Sequence, residues 1–92
     1  MTLMEHPMYK AIQQVSNQEE FLELLEITFT DKEREMILER WRIFKALDEG
    51  KSQREVAKSV GCSVVTATRG AKAYRSHKQR VKFWLDVMFD PE

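Results

Sequence analysis

Two prolines, three glycines and a single cysteine give this chain little with which to build a turn-rich or cross-linked fold. With so few breakers the backbone is free to run in helices, and a charged fraction of 33%, being mixed in sign, does not argue for disorder. Cys62 has no partner for an internal disulfide, and His6 and His77 are too few to complete a zinc-ligand spacing, so no metal is expected and the cysteine reads as filler near a turn. No apolar run approaches the roughly 20 residues of a membrane span. The opening MTLMEHPMYK also lacks a basic patch followed by an apolar stretch, which leaves the cytoplasm as the expected location. Nucleophile–base pairs, metal-ligand clusters and glycine-rich phosphate loops are missing too, so the sequence does not read as an enzyme. A chain of 92 residues suits a single domain, 1–92.

Net charge is zero, yet the charges are segregated. Residues 1–50 have a balance of −5, residues 51–82 a balance of +8 with Glu55 as their only acid, and the last ten residues return −3. A local basic block is the footprint of phosphate binding, and a solvated basic face is the plainer alternative.

Four capping boxes mark helix starts: Asn17 with Glu20, Thr30 with Glu33, Ser52 with Glu55, and Ser76 with Gln79. From the second, the spacing predicts a long helix over 31–49 stopped by Gly50. Upstream of it, Phe21, Leu22, Leu24, Leu25, Ile27 and Phe29 cover nearly every face of a short helix. That is too apolar for one side of a small monomer and suggests cover by a second chain, a central core helix being the other reading. The last helix, about 79–89, carries Val81, Trp84, Leu85 and Met88 as a packing stripe. The first dozen residues read as an arm or a weakly held helix.

Between these lies the most informative stretch. A short helix over 53–60, with Val56, Ala57 and Val60 inward, stops at Gly61, and Ser63 caps a second helix running to about Tyr74 or Arg75. Helix, short glycine-containing turn and helix is the signature of a helix-turn-helix, whose second member enters the major groove. Val64, Val65, Thr66 and Thr68 are short enough to let that helix approach base edges, although the valines could equally be core. Gln53 and Arg54 suit phosphate or guanine contacts, and Lys58, Lys72 and Arg75 suit phosphates.

One arginine is out of place. Arg40 has Met36, Ile37, Ile43 and Phe44 as its neighbours three and four residues away, where an unpaired guanidinium would cost several kcal/mol by a rough desolvation estimate. Three readings stand: its stem snorkels to the core edge, it meets an internal acid, or it lines a ligand pocket. The Arg69–Gly70 pair favours the third. Glycine inside a helix costs about 1 kcal/mol relative to alanine, and a gap at Gly70 between Arg40 and Arg69 would form a slot for a flat carboxylate-bearing molecule.

Taken together, FTDKERE, RWRI, SQRE, TATRG and the late WL resemble the tryptophan repressor family from about Thr30 to Leu85. The resemblance implies an all-α, intertwined homodimer of about six helices. Residues 1–50 and 77–92 would form the dimer core and N-terminal arm, with 52–76 as the DNA-reading head. It implies a transcriptional repressor that binds L-tryptophan as corepressor and then double-stranded operator DNA of tryptophan biosynthesis or transport genes. Arg40 and Arg69 would sandwich the indole, with Arg69 and Thr30 meeting the carboxylate, backbone carbonyls near Ile27 and Phe29 receiving the ammonium, and Gly70 admitting the ring. DNA contacts would fall on Gln53, Arg54, Val64, Val65, Thr66, Thr68 and Arg75. Ala73 departs from the pattern, standing where a serine hydroxyl is expected to help hold the ammonium, and the link from Gly50 to Ser52 is one residue short. Two rivals therefore stand beside the resemblance: a helix-turn-helix regulator with a different effector or none, and a helical protein-interaction module without a DNA role.

Overall fold

The computed structural model describes residues 6–89. Among them are six helices and no strand: α1 (Pro7–Gln14), α2 (Gln18–Thr28), α3 (Asp31–Asp48), α4 (Gln53–Val60), α5 (Val64–Ser76) and α6 (Lys78–Phe89). The all-α expectation holds. The chain divides between Glu35 and Met36 into two compact units.

In the first unit, α1 starts with Pro7 in its opening turn, where a missing N–H costs nothing, and His6 Nδ1 accepts from the Met8 N–H at 3.1 Å. Asn17 caps α2 as the sequence predicts, accepting from the Glu20 N–H at 2.8 Å. The return half of that box lands one residue further back. Glu20 accepts from the Ser16 N–H at 2.9 Å and the Ser16 hydroxyl at 2.8 Å, not from Asn17, and these bonds hold its carboxyl below the ordinary carboxylate range. The Thr30 box forms completely, with the Thr30 N–H donating to Glu33 at 2.9 Å and the Glu33 N–H to Thr30 Oγ1 at 3.1 Å. Neither α1 nor α2 buries a residue. Tyr9, Ile12, Phe21, Leu24 and Leu25 instead line an open apolar hollow of about 430 Å³.

The second unit is ordered by its caps and by two apolar clusters. Gly50, at φ +90°, ends α3 as predicted: its N–H donates to the Leu47 carbonyl at 3.0 Å, and the Lys51 N–H reaches the Ala46 carbonyl at 3.2 Å. Ser52 and Glu55 form both halves of their box at the start of α4. Gly61, at φ +84°, repeats the left-handed stop at the other end, and after Cys62 the Ser63 side chain accepts from the Thr66 N–H to open α5. The first cluster, Ile43, Ala46, Val56, Ala57 and Ala67, joins α3, α4 and α5. The second, Phe44, Tyr74, Val81 and Leu85, joins α3, α5 and α6. Tyr74 keeps its polar tip satisfied by donating to Asp48 Oδ1 at 3.1 Å, with Lys82 Nζ 3.6 Å from Asp48 Oδ2. Burial first, and then that hydrogen bond, push the Tyr74 phenol above its usual range.

Two expectations fail here. No cap forms at Ser76, because α5 runs through it and His77 serves as the joint, its N–H donating back into α5 and its carbonyl accepting from the Val81 N–H at 2.8 Å. The stripe on α6 is also half right. Val81 and Leu85, four residues apart, are buried, whereas Trp84 and Met88 stay 44% and 48% exposed on a second apolar face with Phe83 and Val87.

Candidate nucleic-acid interface

The helix-turn-helix reading rests on α4, the Gly61–Ser63 turn and α5. Helix α5 buries Ala67, Gly70, Ala71 and Tyr74, a spacing of three and four residues that fixes one inward stripe. Everything expected to read DNA falls off that stripe. Val64 and Val65 are 49% and 60% exposed, which excludes the core reading of the valines in this chain. Thr68 is exposed, and its hydroxyl lies 2.8 Å from Gln53 Oε1 and 2.9 Å from the Val64 carbonyl, so α4 and α5 share a hydrogen bond at the outer surface. Thr66 is only partly exposed, and its Oγ1 accepts from the Ser63 hydroxyl at 2.9 Å, which ties it to the cap.

Arg54, Lys58, Arg69, Lys72 and Arg75 are exposed, and among the described residues none lies within ion-pair distance of a carboxylate. The basic block thus keeps its charge available around the α4–α5 surface. Elsewhere Lys82 is committed to Asp48, and Arg80 lies over the Phe83 ring at 4.5 Å and Trp84 at 5.8 Å. The Glu55 carboxyl, the one acid of the block, is spent on the α4 cap, and the Ser52 N–H and hydroxyl hold it below its ordinary range.

Ligand residues named by the resemblance are found on both units. On the second, Arg40 is exposed at the edge of the α3 stripe, its guanidinium carbon 6.0 Å from the centre of the Phe44 ring. Of the three readings for Arg40, snorkelling describes this geometry. Arg69 is exposed too, whereas Gly70 is buried. The expected gap at Gly70 is filled within the chain: a Cβ there would lie 2.6 Å from Ile43 Cγ2, so the glycine is required by the approach of α5 to α3. Ala73 is half-buried and packs against the Phe44–Tyr74–Val81–Leu85 cluster, surroundings that suit a methyl better than a hydroxyl.

On the first unit, the Thr30 hydroxyl accepts from the Glu33 N–H, and Ile27 is 78% exposed. The Phe29 carbonyl already has a donor. Arg34 Nη1 lies 2.6 Å from it and 3.2 Å from the Glu26 carbonyl, and Nη2 pairs with the Asp31 carboxylate. Sequence reasoning missed this arginine, as it missed the Asp48–Tyr74 link. The signal for Arg34 was its place one turn after a helix end whose carbonyls need donors.

The family model described as Trp repressor protein matches residues 6–88. Among curated relatives, a Trp operon repressor homolog of Aliivibrio fischeri (strain MJ11) is 40% identical over 63 residues, covering 67% of this chain and 58% of that protein. One from Aliivibrio salmonicida (strain LFI1238) is 35% identical over 75 residues, covering 80% of this chain and 69% of its own length. Another, from Photobacterium profundum, is 35% identical over 63 residues, covering 67% of this chain and 61% of its own length. The chain thus spans less than two thirds of the Aliivibrio fischeri relative. No solved structure matches it at the level at which these relatives do. With the family model matched from residue 6 to residue 88, the chain belongs to the Trp repressor family.

Proposed function

We propose that the protein is a tryptophan-dependent transcriptional repressor acting in the cytoplasm. As a homodimer it takes L-tryptophan as corepressor and then binds double-stranded operator DNA of tryptophan biosynthesis or transport genes. The observation that carries this reading is the α4–α5 surface, where exposed Val64 and Val65 and the Gln53–Thr68 hydrogen bond stand among cations that have no carboxylate partner among the described residues. Short side chains let α5 enter a major groove, and the cations Arg54, Lys58, Lys72 and Arg75 fix register on the phosphates.

Dimerisation is supported by the apolar surface left uncovered in the single chain, with Leu22 and Ile27 on α2 and Trp84 and Val87 on α6 all more than 40% exposed. In the dimer, two α5 helices would have to meet successive major grooves about 34 Å apart. Tryptophan favours that spacing only if it binds the DNA-competent form more tightly than the other. Exposed Arg40 and Arg69 fit an indole plane and a carboxylate, and Thr30 offers a hydroxyl to the same carboxylate. Gly70 contributes by setting how closely α5 approaches α3. Ala73 fits the ligand's amino group poorly, having no polar atom to offer, which keeps a second reading alive in which the same DNA module answers to a different effector.

A gel shift on duplex DNA from upstream of the protein's own gene, with and without tryptophan, tests the proposal. Tryptophan should tighten binding by at least about tenfold, the low end of typical coupling between linked sites. Equal affinity in both lanes would sink the corepressor role, and no duplex binding at either condition would sink the DNA role.

A further inference from the structure

We propose that Arg34 competes with the ligand's ammonium group for the Phe29 carbonyl, and so determines how much the amino group contributes to binding. This rests on the tryptophan reading above. Helix α2 ends at Thr28, and the carbonyls of its last turn have no partner within the helix while carrying the negative end of its dipole. A cation belongs there. Arg34, in the first turn of α3, supplies one from inside the chain: Nη1 donates to the Phe29 carbonyl at 2.6 Å and to the Glu26 carbonyl at 3.2 Å. The Asp31 carboxylate, three residues before it, holds the other guanidinium nitrogen and so fixes the fork.

A ligand ammonium is a donor of the same kind as this guanidinium, a positive N–H group seeking an uncharged carbonyl oxygen. Where the guanidinium holds the oxygen, an incoming ammonium must displace it or sit beside a like charge, and either weakens what the amino group adds. The Ile27 carbonyl carries no hydrogen bond among the described residues and stays available. Ala73 offers no hydroxyl. Of three acceptors that could serve an amino group, one is contested, one is absent and one remains. Ligand affinity should therefore come mainly from the indole and the carboxylate, and the amino group should matter little until Arg34 is removed.

Calorimetry on the full chain with L-tryptophan and with indole-3-propionate, which keeps the indole and a carboxylate but has no amino group, reads this directly. In the unsubstituted protein the two affinities should lie within a few-fold of each other. Arg34→Met should tighten tryptophan about tenfold, the worth of one charge-assisted hydrogen bond, and change indole-3-propionate less than about twofold. Arg34→Lys, which keeps the charge without the fork, should fall between. Because the readout is a ratio of two ligands on one protein, a loss of folded material cancels. The proposal is overturned if both ligands shift by the same factor in Arg34→Met, or if tryptophan alone weakens. Binding of neither ligand to any form sinks the tryptophan reading and this proposal with it, whereas tryptophan binding with an unchanged ratio sinks this proposal alone.

Discussion

Helices α2 and α4 make an instructive pair. Helix α2 has the denser apolar sequence, with Phe21, Leu22, Leu24, Leu25 and Ile27 in eleven residues, and buries none of them. Helix α4 has eight residues with only Val56, Ala57 and Val60 apolar, and buries Val56 and Ala57 almost completely. Hydrophobic content therefore does not decide burial. Periodicity does, because α4 gathers its apolar residues on one stripe that α3 and α5 can cover, whereas α2 spreads them around its circumference. The proposed dimer resolves the contrast by giving α2 a partner from a second copy.

The strongest way to break that comparison is to charge α2. Ile27→Glu combined with Leu22→Glu should convert a dimer into a monomer in sedimentation velocity, since both side chains are more than half exposed in the single chain and would be covered only by the second copy. A protein that sediments as a monomer before the change removes the premise. The α4 side of the contrast is tested inside the cluster that covers it. Ile43→Ala should cost about 2–5 kcal/mol in urea unfolding, as large-to-small core changes do. Gly70→Ala should cost roughly 1–3 kcal/mol by overpacking against Ile43 Cγ2. Combined, the two should cost clearly less than their sum, because the alanine at 43 removes the atom that the new methyl strikes. Additive costs would mean that the 2.6 Å approach does not govern the helix crossing.

How much of this the sequence disclosed follows from how local the cause is. The Ser52–Glu55 box, the left-handed stops at Gly50 and Gly61 and the limits of α4 depend on residues within a turn or two of each other, and they were readable. Ser76 was misread because a capping pattern competes with helix continuation, and Tyr74, locked into the second cluster three residues earlier than His77, carries α5 past it. Trp84 and Met88 were misread because the side of α6 that packs is chosen by α3 and α5, which the stripe cannot name. Gly70 was legible as a gap but not as to what fills it: Ile43 lies on another helix, and its approach is a tertiary fact. The interface residues on α4 and α5 fared better, since short, exposed side chains beside a basic block are the chemistry itself. The Arg34 contact was hidden for the opposite reason, as its partners are backbone carbonyls that every sequence possesses.

The smallest effect concerns the caps, and it bears on whether α4 is held by its packing or by its ends. The folded Glu55 carboxyl lies below its ordinary range of about 4.5 because the Ser52 N–H and hydroxyl favour the charged form. A carboxyl depressed by folding contributes stability above its unfolded value, and that contribution is lost as pH falls through the folded one. Protonating Glu55 should therefore weaken α4 only in the acid region below pH about 4.5 and leave neutral pH untouched. Glu55→Gln keeps an acceptor for the Ser52 N–H but cannot titrate. Its thermal midpoint should fall less than the unsubstituted protein's between pH 6 and pH 3, roughly the window that brackets an ordinary carboxylate. With Val56 and Ala57 buried beneath it, α4 should survive the loss in both forms, so the difference should be a modest shift and not unfolding. Parallel curves for the two proteins would assign the acid limb to other carboxyls, Glu20 at its Ser16 bonds being the next to change.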